Sequence, residues 1–128
     1  MLNNHCFTIH LRDDEAVARY KEFHRNVWPE IAGPGGALET IGVLKMQIFF
    51  HAPRTLCMYV EGDEHFEPVR DFTRANGLDP RVDEWDAIMH GQLLQRVPEN
   101  DGQLNWAPME RVYSYVDERV LAGGRSDA

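Results

Sequence analysis

Residues Val43 to Phe50 constrain the fold more than any other stretch of this chain. Side chains alternate along a strand, so Leu44, Met46, Ile48 and Phe50 fall on one side, with Val43, Lys45, Gln47 and Phe49 on the other. The first set is wholly apolar and predicts a face turned to a core or a partner. His51-Ala52-Pro53-Arg54 then reads as a short turn, and Thr55 to Glu61 as a returning strand that completes a hairpin.

The rest of the chain supplies what this hairpin needs. Cys6 to Leu11 runs without breakers and reads as a first strand. Asp13-Asp14-Glu15 opens a helix, because acidic side chains complement the free N–H groups and the dipole of a first turn. That helix is expected to run from Asp14 through Tyr20 and His24 towards Trp28. Pro29 kinks or restarts it, and Gly33-Pro34-Gly35-Gly36 is the strongest breaker cluster. Ala37 to Thr40 allows one further helical turn. After the hairpin, Glu64 to Arg74 predicts a helix with Phe66, Val69 and Phe72 or Thr73 inward, closed by Asn76-Gly77. Asp79-Pro80 starts another, Pro80 to about Leu94, with Val82, Trp85, Ile88 and Met89 on one face. Val97 to Asn105 is turn-rich, and Met109 to Val116 has the character of a last strand.

The order β-α-β-β-α-(α)-β is the ferredoxin-like split β-α-β arrangement of the α+β class, an antiparallel sheet with helices on one face. Residues 1–116 form one such domain, with 117–128 as a flexible C-terminal tail. The helices leave the other sheet face bare, and a homodimer that pairs two sheets through the Leu44/Met46/Ile48/Phe50 set would cover it.

Charge and motif content narrow the function. A net charge of −8 argues against nucleic acid or an anionic membrane as partner. No signal-peptide pattern opens the chain and no apolar run approaches a membrane span, so a cytoplasmic location is expected. Cys6 and Cys57 stand alone and read as free thiols. The six histidines show no HxH or HExxH spacing, so no metal is expected, and no phosphate-binding glycine motif is present. Ser114 and Ser126 are the only serines, which leaves little room for a serine nucleophile.

What remains is acid/base chemistry without a cofactor. Tyr20, His24 and Trp28 recur at four-residue spacing and would share one helix face. Three groups with polar handles suit a pocket wall better than a core; the alternative is a half-buried helix with a satisfied histidine. Glu30 or Glu22 is near enough to orient the imidazole. Trp85 is a second aromatic candidate, which core packing would explain equally well. Asp86 beside it reads as a solvated charge.

The pattern Tyr20-x-x-x-His24-x-x-x-Trp28-Pro29-Glu30 after a first strand resembles the L-rhamnose mutarotase family. The segments Gly42 to Phe50, Asn76 to Met89 with Trp85, and Trp106 to Tyr113 support the resemblance, which spans roughly residues 5 to 115. It implies a dimeric α/β barrel of two ferredoxin-like subunits that interconvert the α and β anomers of a 6-deoxy-L-hexose. By position, His24 is then the proton donor and acceptor. Tyr20, Trp85, Met46 and Trp28 are then the sugar-binding set, Trp28 more as a support of the pocket or of helix packing, and Glu30 supports them. Met46 stands where the rhamnose enzymes place a tyrosine, which brings the chain closer to the L-fucose members. The Gly33–Gly36 segment makes the stretch from Trp28 to Gly42 longer than usual and alters one rim. Two other readings remain open: a cofactor-independent monooxygenase-like barrel enzyme, and a sugar-binding module without turnover.

Overall fold

The computed structural model describes residues 3–122. Asn3–Leu11 (β1), Val43–His51 (β2) and Thr55–Gly62 (β3) form the body of an antiparallel sheet, joined at β1 by the short strands Leu94–Gln95 (β4) and Ala107–Pro108 (β5). The strand order is β2-β3-β1-β4, with β5 also on β1, as the split β-α-β pattern requires. Full ladders run from Asn3↔Gly62 to His10↔Thr55 and along the β2–β3 hairpin.

Helices cover one face: Asp14–Phe23 (α1), Pro29–Ala32 (α2), Ala37–Thr40 (α3), Pro68–Arg74 (α4) and Pro80–Ile88 (α5), the last continuing into a π-helical turn, Met89–Leu93. Asp13 caps α1, its carboxylate accepting from the Ala16 N–H at 2.8 Å. Asp79 caps α5 in the same way through Arg81. Ile9, Leu11 and Leu56 from the sheet pack against Tyr20, Trp85, Met89 and Leu93, and Phe7, Met58 and Val60 against Ile41 and Phe66. Gly62 is required at its position, since a Cβ there would sit 2.3 Å from the Phe66 ring.

Several expectations change at this level. Helix α1 stops at Phe23 instead of running to Trp28, so His24 is its C-cap and Trp28 precedes α2. A β-bulge between Val43 and Lys45 leaves Leu44 exposed, while Met46 and Ile48 turn towards the helices. Phe50 lies beneath the Lys21 ammonium, 4.3 Å from its ring centroid. The apolar set is therefore not a face for pairing two sheets. Helix α4 begins four residues later than expected, at Pro68. Its buried side is centred on Asp71, and Val69, about 200° away on the helix, is exposed. Helix α5 ends at Ile88, short of Leu94, because the backbone widens into the π turn.

The last strand is the largest difference. The ladder on β1 is made by Leu94–Gln95 and Ala107–Pro108, and 109–117 runs on without regular structure. Pro108 has no N–H to continue a ladder. The segment keeps to β1 through the Met109 N–H on the Cys6 carbonyl at 2.9 Å and the Arg111 guanidinium on Asn4. Within the expected tail, Glu118–Ala122 forms a short helix (α6); residues 123–128 lie outside the described residues.

Candidate functional site

Between the helices and the inner face of the sheet lies a cavity of about 720 Å³. Its apolar side is built by Phe7, Ile41, Met46, Ile48 and Met58, and it reaches Tyr20, His24, Trp85 and Trp106. Asp86, His90, Gln103 and Asn105 bring polar groups to the wall. A mostly apolar cleft with a few convergent polar groups is what a small ligand requires.

His24 takes its orientation from the end of α1. Its ring stacks on Tyr20, centroids 4.1 Å apart and planes inclined by 23°, as an i, i+4 pair on one helix face allows. Its Nδ1 lies 2.8 Å from the Tyr20 carbonyl oxygen. A carbonyl can only accept, so Nδ1 carries a proton and donates it, which leaves Nε2 as the lone-pair nitrogen of the neutral ring. Burial pushes the imidazole below its ordinary pKa of 6.5, and the bond to the carbonyl opposes that shift. At neutral pH this histidine is therefore an uncharged base. Burial also pushes the Tyr20 phenol up, so it remains a neutral hydroxyl.

Trp85, on the buried side of α5, is the aromatic hub. It meets His24 at 5.4 Å, Trp28 at 5.1 Å and Phe23 at 5.7 Å between ring centroids, all three edge-to-face. Trp28 stays behind Trp85, off the cavity wall, with the Arg81 guanidinium 3.6 Å over its ring. Glu30 faces Arg81 at 3.9 Å, and its buried Oε1 makes no hydrogen bond among the described residues. The imidazole is oriented by the Tyr20 main chain. Of the side chains expected at the site, the fold gathers Tyr20, His24, Met46 and Trp85 on one cavity and keeps Trp28 and Glu30 in the layer behind. The Gly33–Gly36 turn lies beside the cavity, whose wall includes Ala32 and Ala37 on either side of it.

Sequence reasoning missed His90, Asn105, Gln103 and Trp106 as wall residues. His90 carried a signal: it follows Asp86 by four positions, one residue on from the Trp85/Met89 pair, so Asp86 and His90 share a face beside the apolar one. Asp86 belongs to the cavity wall and is not simply a solvated charge. Gln103 and Asn105 lie in an irregular loop, where no periodicity marks a facing.

Residues 4–115 match the family described as L-rhamnose mutarotase. The chain is 38% identical over 105 residues to a UPF0734 protein of Dictyostelium discoideum, covering 80% of this chain and 81% of that protein. The crystal structure of L-rhamnose mutarotase FA22100 from Formosa agariphila superposes with a TM-score of 0.61 at 21% identity, over 89% of this chain and 99% of the other.

Proposed function

This chain belongs to the L-rhamnose mutarotase family, and from that premise we propose that it interconverts the α and β anomers of a 6-deoxy-L-hexose, L-rhamnose or L-fucose, by cofactor-free acid/base catalysis. The observation that carries this reading is His24, a neutral imidazole with one nitrogen tied to a main-chain carbonyl, on the wall of an aromatic and apolar cavity. The Nε2 lone pair takes the proton of the anomeric hydroxyl, and as the bond from C1 to the ring oxygen breaks, the imidazolium so formed gives that proton from Nε2 to the ring oxygen. The open aldehyde turns about its C1–C2 bond and closes on the other face, with the same proton transfers reversed. Such a group contributes on the order of 10²–10⁴-fold. Mutarotation already proceeds in water, so no covalent intermediate is needed.

The lining also supports a 6-deoxy sugar. Met46, Ile48 and Met58 offer a methyl group an apolar surface, whereas the C6 hydroxyl of an ordinary hexose would be left there without a partner. Trp85 supplies an aromatic face for the apolar side of the ring. Met46 has no hydroxyl to offer, which keeps L-fucose beside L-rhamnose as substrate.

A homodimer is part of this proposal, with the sheet's outer face as its contact. Phe49 is 58% exposed there. Val112, Tyr113 and Tyr115 project from the neighbouring 109–117 segment at 88%, 78% and 71% exposure. A second copy would cover these groups, and sedimentation equilibrium at micromolar concentration should give twice the 14.8 kDa chain mass.

The test of the activity is anomer exchange by saturation-transfer NMR on equilibrated L-rhamnose and L-fucose, with the unaltered protein and His24→Ala. Acceleration that the variant loses establishes the mutarotase, and the faster sugar identifies the better substrate. Binding of either sugar without acceleration would sink the catalytic assignment in favour of a binding module, and an oxidised aromatic product would favour the monooxygenase-like reading.

A further inference from the structure

Asp86 and His90 bring a charge and an imidazole to the same cavity as His24, from a different element. Asp86 sits on α5 directly after Trp85, whose ring is 5.4 Å from that of His24. His90 follows one turn later, where the helix widens into the π turn, a distortion frequent at functional sites. The His90 side chain is 24% exposed and that of Asp86 47%, as expected for groups at the edge of a cleft. We propose that the Asp86–His90 pair is the subsite that holds the sugar's hydroxyls away from the anomeric carbon and thereby sets which 6-deoxy-L-hexose is bound.

The geometry favours a hydroxyl over any other occupant. His90 Nε2 and Asp86 Oδ1 are 3.8 Å apart, too far for a direct hydrogen bond and close enough for one small group to touch both. A carboxylate only accepts, whereas the imidazole can present an N–H. A sugar hydroxyl both donates and accepts, so one hydroxyl can donate to Asp86 and accept from His90, leaving the second carboxylate oxygen for its vicinal neighbour. A methyl or an unsubstituted ring carbon satisfies neither group.

Burial pushes the His90 pKa down and the Asp86 charge opposes this. Arg12, which donates to the His90 main-chain carbonyl at 3.2 Å, and Arg96, which shares a smaller adjoining cavity with His90, add no negative charge to that balance. A neutral ring with an N–H suits hydroxyl recognition and leaves proton transfer to His24. The polar pair and the apolar Met46/Ile48/Met58 surface then give the sugar a direction, hydroxyls to the pair and C6 methyl to the apolar wall.

This inference rests on the mutarotase reading, and a methyl glycoside separates the two. Methyl α-L-rhamnopyranoside and methyl α-L-fucopyranoside have no free anomeric hydroxyl and cannot mutarotate, so their binding, measured by calorimetry, reports the subsite without turnover. Asp86→Asn should bind the preferred glycoside about 10- to 100-fold more weakly, as expected for a lost charge-assisted hydrogen bond, and His90→Leu up to about 10-fold more weakly, as expected for a lost neutral one. His90→Gln, which keeps an N–H donor, should recover most of that loss. On the reducing sugar, Asp86→Asn should raise KM by a similar factor with kcat little changed. Exchange by the unaltered protein together with unchanged glycoside affinity in Asp86→Asn would overturn the subsite alone. Neither exchange nor glycoside binding by the unaltered protein would overturn the mutarotase reading and the subsite with it. Equal losses in His90→Gln and His90→Leu would reduce His90 to a packing residue.

Discussion

Asp71 and His24 both sit in the helical layer, and their polar atoms are used in opposite ways. The Asp71 carboxylate, 1% exposed, accepts from the Glu67 N–H at 2.7 Å, from Arg70 at 2.9 and 3.0 Å and from Arg74 at 2.6 Å. Both oxygens are occupied, and the bond from Arg70 leads the interactions that hold its pKa well below the ordinary carboxylate value. His24 has one nitrogen bound and, among the described residues, the other without a partner beside a cavity. Asp86 and His90 stand 3.8 Å apart with capacity to spare. A buried polar group with every bond made fastens a fold, while one left open in a cleft is available to a ligand.

The largest effect expected is on rate alone. His24→Ala should lower anomer exchange by about 10²–10⁴-fold, with a much smaller effect on the thermal midpoint, since among the described residues the imidazole holds the fold through one hydrogen bond and its contacts with the Tyr20 and Trp85 rings. The pH profile sharpens this point. Only neutral His24 acts as the base, and its pKa lies below 6.5, so activity should be level through neutrality and fall on acidification with a midpoint under 6.5. A midpoint clearly above 6.5 would mean that another group controls the rate.

Asp71→Ala should show the reverse pattern. It should cost about 2–3 kcal/mol in chemical denaturation, less than a wholly buried pair because both guanidiniums are half exposed. Activity per folded molecule should be kept. A depressed carboxylate pKa stabilises the fold above the unfolded value of 3.8 and loses that contribution as pH falls through the folded pKa, so the difference from the unaltered protein should shrink in strong acid.

Smaller effects test how far the cavity wall sets the sugar. Met46→Tyr introduces a hydroxyl at the apolar surface and should raise the ratio of L-rhamnose to L-fucose exchange several-fold, for about 0.5–1.5 kcal/mol of new hydrogen bonding; an unchanged ratio would remove Met46 from substrate choice. Smallest is Arg81→Met, which takes the guanidinium off Trp28 and should lower stability by about 0.5–1 kcal/mol. A large loss of exchange in that variant would place Arg81 among the functional groups.

The first three strands, the capped start of α1 and the start of α5 were legible because each depends on local alternation or on a capping residue. Tyr20 and His24 were legible as a pair for the same reason, since four residues on a helix fix their stacking. Trp28 was misread because α1 ends at Phe23, and spacing says nothing once the helix has stopped. The facing of Leu44 was lost to a bulge, an extra residue that moves side chains across a sheet without any mark in the hydrophobic pattern. Asn105 and Gln103 reach the cavity from a loop, whose path is set by what it packs against.

Local patterns in the chain are enough for the α+β element order, the Tyr20–His24 pair and the likeness to the mutarotase family, because periodicity, capping and short motifs act over a few residues. Tertiary structure decided that β4 and β5 complete the sheet, that Met46 faces the cavity and that Asp86 and His90 share the pocket of His24. Those are contacts between distant segments, fixed when apolar surfaces close on one another and carry the polar groups between them into place.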